Sequence, residues 1–249
     1  MNLHDTTALV TGATRGIGRH LTRHLIAHGA RVVAVGRDQD LLDELAAEHG
    51  EVHPWQVDLA DPAAVDAFVT EVAQRHPGLS VVVNNAGVQT LTDFLGDDDP
   101  EALRPVLRRE IAINFDAVVA LSTGLLPHLR RHPEAAVVNI TSGLALAPKR
   151  SAPVYCATKA AVRTFSRALR YQCQDAAPHV RVIDAVMPLV DTEMTRGRGR
   201  DKISPDQAAR AVVDGIVAGT DEIHVGRTRL LPPLLRLSPA LAHRVLRDS

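Results

Sequence analysis

The sequence predicts an α/β fold: one single-domain, doubly wound parallel sheet of about seven strands with helices on both faces. Short β-rich runs alternate with longer helical stretches along the 249 residues. Several of the strand-like runs, VVVNN and AVVNI among them, are continuously apolar, as strands covered on both faces are. A glycine-rich turn also joins the first strand to the first helix, where an α/β sheet opens its ligand crevice.

Taken in order, the expected strands cover 8–12, 31–36, 52–58, 80–84, 136–141, 180–186 and 222–225. Helices are expected near 17–28, 38–49, 62–76, 101–131, 153–174 and 205–218. This rhythm requires right-handed crossovers between parallel strands. No repeat, low-complexity tract or shift in composition marks a second domain, so 1–249 is read as one unit. Two segments leave the rhythm. The loop 189–204 contains TEMTRGRGRDKI, polar and with Gly197 and Gly199, and is read as a lid over the substrate. The tail 227–249 is rich in leucine and broken by Pro232, Pro233 and Pro239, and is expected to fold over its own or a partner's site.

Composition sets outer bounds. A mass of 26.8 kDa with 45% hydrophobic and 23% charged residues fits one globular unit. The formal net charge of -1 supplies no attraction to nucleic acid or an anionic membrane surface. The first residues, MNLHDTTALVTG, do not read as a signal peptide, and no uncharged apolar run is long enough to span a bilayer. Cys156 and Cys173 fall in one expected helix. At that spacing they stand roughly 25 Å apart, too far for a disulfide. A reducing, cytoplasmic location is the simplest expectation.

The turn TGATRGIG places Gly12, Gly16 and Gly18 between strand and helix, letting backbone N–H groups approach a pyrophosphate at the positive helix end. At the end of the second strand, VVAVGRD, a carboxylate would bind the ribose 2′-hydroxyl of NAD. Gly36 stands there instead, followed by Arg37, and Arg15 lies in the glycine turn. Both guanidiniums suit a 2′-phosphate, so NADP(H) is expected over NAD(H). Asp38, two positions past the strand end, is the counter-signal.

Tyr155 and Lys159 stand at i and i+4 in PVYCATKAAV and share a helix face. A free tyrosine, with a pKa of about 10, is protonated at neutral pH. A neighbouring ammonium would favour the phenolate and bring it nearer to useful acid–base range. Ser142, at the end of VVNITS, is placed to hydrogen-bond the same substrate oxygen.

With these motifs in order, the chain resembles the short-chain dehydrogenase/reductases, a family of Rossmann-fold enzymes, over essentially its whole length. TGATRGIG resembles the family's TGxxxGxG turn, from which Gly12, Thr14, Arg15, Gly16, Ile17 and Gly18 are carried over as cofactor contacts. Asp58, with Leu59, resembles the adenine-contacting acid; Asn85 and Gly87 belong to an NNAG element; Asn114 matches an asparagine that holds a proton-relay water. Ser142, Tyr155 and Lys159 match the catalytic serine and YxxxK, with Tyr155 13 positions after Ser142. Where the family reads Pro-Gly after the sixth strand, this chain has Met187-Pro188, followed by Val190 and Thr192 as further cofactor contacts. That segment, with SGLALAP and RALRYQ, is similar to a bacterial subgroup named after lipoteichoic-acid D-alanylation operons.

The resemblance implies hydride transfer between a nicotinamide and a carbonyl or secondary alcohol of a small molecule, with a homodimer or homotetramer as the working form. An imine or enone reductase is the second enzyme reading, and a silent nucleotide-binding sensor or scaffold the third. No metal is expected. His20, His24 and His28 have helical spacing but no carboxylate partner in sequence, and are read as a solvated face. The basic cluster Arg196, Arg198, Arg200 and Lys202 is read as a solvated loop, with recruitment of an acidic or phosphorylated substrate as its functional alternative.

Overall fold

The computed structural model describes residues 1–96 and 98–248; Ser249, the last position of the expected tail, lies outside the described residues. From the amino terminus the chain forms β1 (Thr7–Thr11), α1 (Gly16–Ala27), β2 (Arg31–Gly36), α2 (Gln39–Glu48), β3 (Val52–Gln56) and α3 (Pro62–Arg75). It continues through β4 (Leu79–Asn84), α4 (Pro100–Ile111), a π-helical turn (Ala112–Asp116), α5 (Ala117–Leu129), β5 (Ala135–Ser142) and α6 (Pro153–Ala176). Then follow β6 (Val180–Met187), α7 (Pro205–Ala218), β7 (Glu222–His224), α8 (Leu231–Leu237) and α9 (Pro239–Arg247).

The seven strands form one parallel sheet in the order β3-β2-β1-β4-β5-β6-β7. The chain runs outward through β2 and β3, then returns past β1 to start β4. The order therefore reverses between β1 and β4, which pair in the register Ala8↔Val81 and Val10↔Val83. A crevice opens at the carboxyl ends of strands at such a reversal.

The strand period of two explains the two-sided core. Along β1, Ala8 and Val10 join a layer with Leu21 and Leu25 of α1 and Val212 and Ile216 of α7. Leu9 points the other way, into a layer with Phe68 of α3, Leu121 and Leu125 of α5 and Leu169 of α6. Local signals set the helix starts: Asp38 accepts from the Leu41 N–H, Asp61 from Ala63 and Ala64, and Ser204 forms a capping box with Gln207.

The helix expected over 101–131 is divided. Between α4 and α5 the Ala117 N–H reaches back five residues to the Ala112 carbonyl, widening the helix at Asn114. Such π-turns are frequent at functional sites. By length and composition alone the run Pro100–Leu129 could cross a membrane, but here α5 packs beside α3 and against β4 and β5 of the sheet. Both cysteines of α6 are free and buried.

The leucine-rich tail folds back on its own chain. The Leu231 side chain lies so close to Gly143 that a Cβ there would stand 2.9 Å from Leu231 Cδ1. Leu237 and Leu230 remain exposed, at 83% and 66%. His20 and His24 do find a carboxylate: Asp206 of α7, 182 positions beyond His24, accepts from both, at 3.3 Å and 2.9 Å. Only the packing of α1 on α7 makes that partner visible.

Candidate active site at the carboxyl edge of the sheet

The first wall is the turn after β1. Gly12 and Gly16 have φ of +63° and +51°, in the left-handed region that a side chain resists. A Cβ on Gly18 would lie 2.0 Å from the Gly12 carbonyl oxygen. Three glycines thus let α1 start tight against the strand. At its N-terminus Arg15 makes no side-chain cap and no acid stands in the first turn, so the first N–H groups present their partial positive charge to the crevice. Thr14 is 9% exposed beside Gly36, whereas Ile17 packs into the upper core layer.

The loop after β4 closes on this turn. Asn85 donates to the Thr11 and Gly12 carbonyls at 2.9 Å and 3.3 Å, while the Thr11 hydroxyl accepts from the Asn85 and Ala86 N–H groups at 3.0 Å each. The Asn85 amide thereby holds the glycine turn in shape. A Cβ on Gly87 would lie 3.3 Å from Asn114 Oδ1 and 3.4 Å from Lys159 Nζ, so Gly87 lets the loop pass over both.

Asp58 and Leu59 sit beyond β3. Arg109 of α4 donates to both Asp58 carboxylate oxygens, at 2.9 Å and 3.1 Å. Desolvation would raise this carboxyl, but the Ala60 N–H and the Arg109 guanidinium hold it below its ordinary value. The two arginines expected to read a phosphate differ. Arg15 is paired with Glu193 at 3.0 Å and Asp38 at 3.5 Å. Arg37 is exposed and has no ion pair among the described residues.

Val190 and Thr192 follow β6. Val190 is 4% exposed and bridges to Ile203, while Thr192 reaches the glycine turn, where a Cβ on Gly16 would stand 3.1 Å from its methyl carbon.

At the centre, β5 ends in Ser142 and α6 presents Tyr155 and Lys159 one turn apart. Lys159 is 4% exposed, donates to the Ile140 carbonyl at 2.8 Å, and has its ammonium 5.8 Å from the Tyr155 ring centroid. Burial lowers Lys159 to about 8 against the opposing fields of Asp184 and Glu110. Loss of hydration pushes Tyr155 up to about 12, with a hydrogen bond to Ser142 and the charge of Arg198 acting downward. The expectation that Lys159 would bring the phenol toward neutrality is not met: desolvation outweighs the Ser142 hydrogen bond and the charge of Arg198.

Asn114, fully buried, holds the floor of the site. Its Oδ1 accepts from the Val88 N–H and its Nδ2 donates to the Val88 carbonyl, both at 2.8 Å. Nδ2 also reaches Thr158 at 3.3 Å. The side-chain amide is thus engaged at both ends by protein.

Sequence reasoning missed Glu110. It is fully buried in the last turn of α4; Oε2 accepts from the Thr90 N–H at 2.9 Å and, among the described residues, Oε1 has no partner. Burial raises its carboxyl above the ordinary value. Its position four residues before Asn114 was a usable signal, since that spacing puts both on one helix face. Arg109 and Gln89 carried no such signal.

The glycine cradle beside a serine, a phenol and an ammonium defines an oxidoreductase that works on a carbonyl or alcohol oxygen with a nicotinamide dinucleotide. Comparison with known proteins makes the class specific. The family described as short chain dehydrogenase matches residues 6–203. The chain is 39% identical to the "Uncharacterized oxidoreductase DltE" of Bacillus subtilis over 90% of its length and 89% of that protein's. It is 33% identical to L-xylulose reductase of Bos taurus over 88% of this chain and 84% of that one. Among solved structures, a short chain dehydrogenase from Burkholderia cenocepacia, in complex with NADP, superimposes with a TM-score of 0.86 at 28% identity, covering 100% of both chains. The chain belongs to the short-chain dehydrogenase/reductase family and is a dehydrogenase/reductase acting on CH–OH or C=O groups.

Proposed function

We propose that the protein is an NADP(H)-dependent reductase of a carbonyl in a small organic substrate, reversible as an alcohol dehydrogenase. The observation that carries this reading is the convergence of Ser142, Tyr155 and Lys159 on the crevice beside the Gly12–Gly18 turn. The glycine turn and the open N-terminus of α1 fit a pyrophosphate, a cradle that any Cβ at Gly18 would fill. Asp58 and Leu59 would flank the adenine, and Asn85, Gly87, Val190 and Thr192 the middle of the dinucleotide. Arg37, with no ion pair among the described residues, would take the 2′-phosphate; Arg15 would join it on leaving Asp38. The NADP bound to the Burkholderia cenocepacia relative supports the same preference.

When bound, the nicotinamide supplies or accepts the hydride. The rest is the work of the chain's own side chains. With its pKa at about 12, Tyr155 stays protonated and is suited to give a proton to the nascent alkoxide oxygen in reduction. Ser142 hydrogen-bonds the same oxygen and orients it. The Lys159 ammonium would stabilise the phenolate left behind and would hold the ribose when the dinucleotide is bound. Asn114 positions Val88 and the π-turn beneath them.

The test is oxidation of NADPH and NADH against a panel of carbonyl and imine compounds, with Tyr155→Phe as control. Turnover of carbonyls that falls at least about a thousandfold in the variant supports the acid role; equal turnover removes it. The exposed or half-exposed Ala157, Ala160 and Ala161 on α6 support close packing in a homo-oligomer, and the free thiols support a cytoplasmic setting. Light scattering of the purified protein reads the first directly.

A further inference from the structure

We infer that Asp184, clasped by Thr141 and Arg163, is a positioning residue that sets Ser142 and the Lys159 ammonium for proton transfer at Tyr155; this rests on the reductase reading above. The inference begins with a spacing of four along α6. Tyr155, Lys159 and Arg163 stand at i, i+4 and i+8, in one stripe of the helix. Each meets the sheet at its own point. Tyr155 is hydrogen-bonded to Ser142, Lys159 donates to the Ile140 carbonyl at 2.8 Å, and Arg163 donates to Asp184 Oδ2. The first two contacts belong to the reacting groups, and the third lies one turn beyond them.

Asp184 stands in β6 and is 2% exposed. Its Oδ1 accepts from the Thr141 hydroxyl and its Oδ2 from Arg163, so both oxygens act as acceptors, as in a carboxylate. Thr141 is the residue between Ile140 and Ser142. Through its hydroxyl, Asp184 holds the three-residue stretch of β5 that supplies both the acceptor for Lys159 and the serine of the site. Through Arg163 it holds α6 one turn past Lys159. One buried carboxylate thus joins the two walls between which the proton moves.

The clasp is braced from the sheet edge. Asp184 is in register with Glu222 of β7, which sets two carboxylates side by side. Like charges so placed are unfavourable unless a cation joins them. Arg163 does this with its second nitrogen, which donates to Glu222 at 2.8 Å, and Arg167 donates to the other Glu222 oxygen at 2.6 Å. Against burial, which would raise it, Arg167 and Arg163 hold Glu222 down to about 2. Burial raises Asp184, and its bonds to Thr141 and Arg163 act downward. Around the Lys159 ammonium stand Asp184 from β6, Glu110 from α4 and, on α6 itself, Tyr155 and Arg163. Burial favours its discharge, and the fields of Asp184 and Glu110 oppose it.

The experiment is the pH profile of kcat for NADPH-dependent reduction of the carbonyl that wild type turns over best, with circular dichroism of every variant. Asp184→Asn keeps an oxygen for Thr141 and removes the charge, so the ammonium discharges more readily. We expect kcat to fall about tenfold with KM little changed, and the alkaline limb to move about one unit to lower pH. Thr141→Val keeps the charge but releases β5, so kcat should fall about fivefold with the limb unmoved. If Asp184→Asn does not fold, Arg163 carries the test: Arg163→Lys keeps a cation for both carboxylates and should retain more kcat than Arg163→Met. Arg167→Gln breaks only the outer bond to Glu222 and should behave as wild type. Folded Asp184→Asn or Arg163→Met with the kcat and limb of wild type would overturn the positioning role and leave the reductase intact. No turnover of any carbonyl by wild type overturns the reductase reading, and this inference with it.

Discussion

The Lys159 ammonium lies 5.8 Å from the centre of the Tyr155 ring and is bonded to the Ile140 carbonyl, so the cation is fixed to β5 and not to the phenol. Burial holds it at about 8, below the ordinary lysine value. The folded protein therefore binds fewer protons at this site than the unfolded chain between about 8 and the ordinary value of 10.5. Stability rises with pH across that window. Urea unfolding of wild type and Lys159→Met should show wild type gaining on the variant from pH 8 upward; a constant difference would contradict the depressed pKa. The rate of carbonyl reduction should fall above the same pH, as the ammonium discharges while Tyr155 remains protonated.

Glu110 has the opposite sign. Burial raises its carboxyl above 4.5, so the folded state holds the proton at pH values where the unfolded chain has released it. Its contribution to stability is present at low pH and declines as pH rises through the folded value. Glu110→Gln keeps a partner for the Thr90 N–H and removes the buried charge. We expect it to stabilise the protein at neutral pH by on the order of 1 kcal/mol, and by less in acid. Denaturant midpoints at the two pH values measure this; a variant less stable at neutral pH would show that Oε1 is satisfied as a carboxylate.

Gly18 is a steric prediction. A methyl group there would stand 2.0 Å from the Gly12 oxygen, so Gly18→Ala must displace either the turn or α1. Loss of dinucleotide binding by about tenfold or more is expected, read by quenching of protein fluorescence or enhancement of NADPH fluorescence. Unchanged affinity would mean the cradle does not hold the pyrophosphate.

Arg37→Ala separates the two dinucleotides. Among the described residues Arg37 has no ion pair, whereas Arg15 is shared between Glu193 and Asp38. The dissociation constant for NADPH should rise about tenfold more than that for NADH, consistent with loss of a charge-assisted bond to phosphate. Parallel losses would refute phosphate recognition, and tighter NADH binding by wild type would assign Asp38 to the ribose hydroxyls.

The alternation of apolar runs with helical stretches, the glycine turn and the Ser142–Tyr155–Lys159 spacing were readable along the chain because each is a local pattern. Backbone period and turn chemistry leave their trace within a few residues of where they act. By themselves they determined the fold class and pointed to Ser142, Tyr155 and Lys159 as candidate reacting side chains. The sharing of Asp206 by two histidines, the clamp of Asn114 on Val88, the burial of Glu110 and the meeting of Arg198 with Gln89 join residues 20 to 186 positions apart. Desolvation is likewise a property of everything packed around a group. That is why proximity of Lys159 in sequence pointed the Tyr155 pKa downward, while the assembled cleft moves it up.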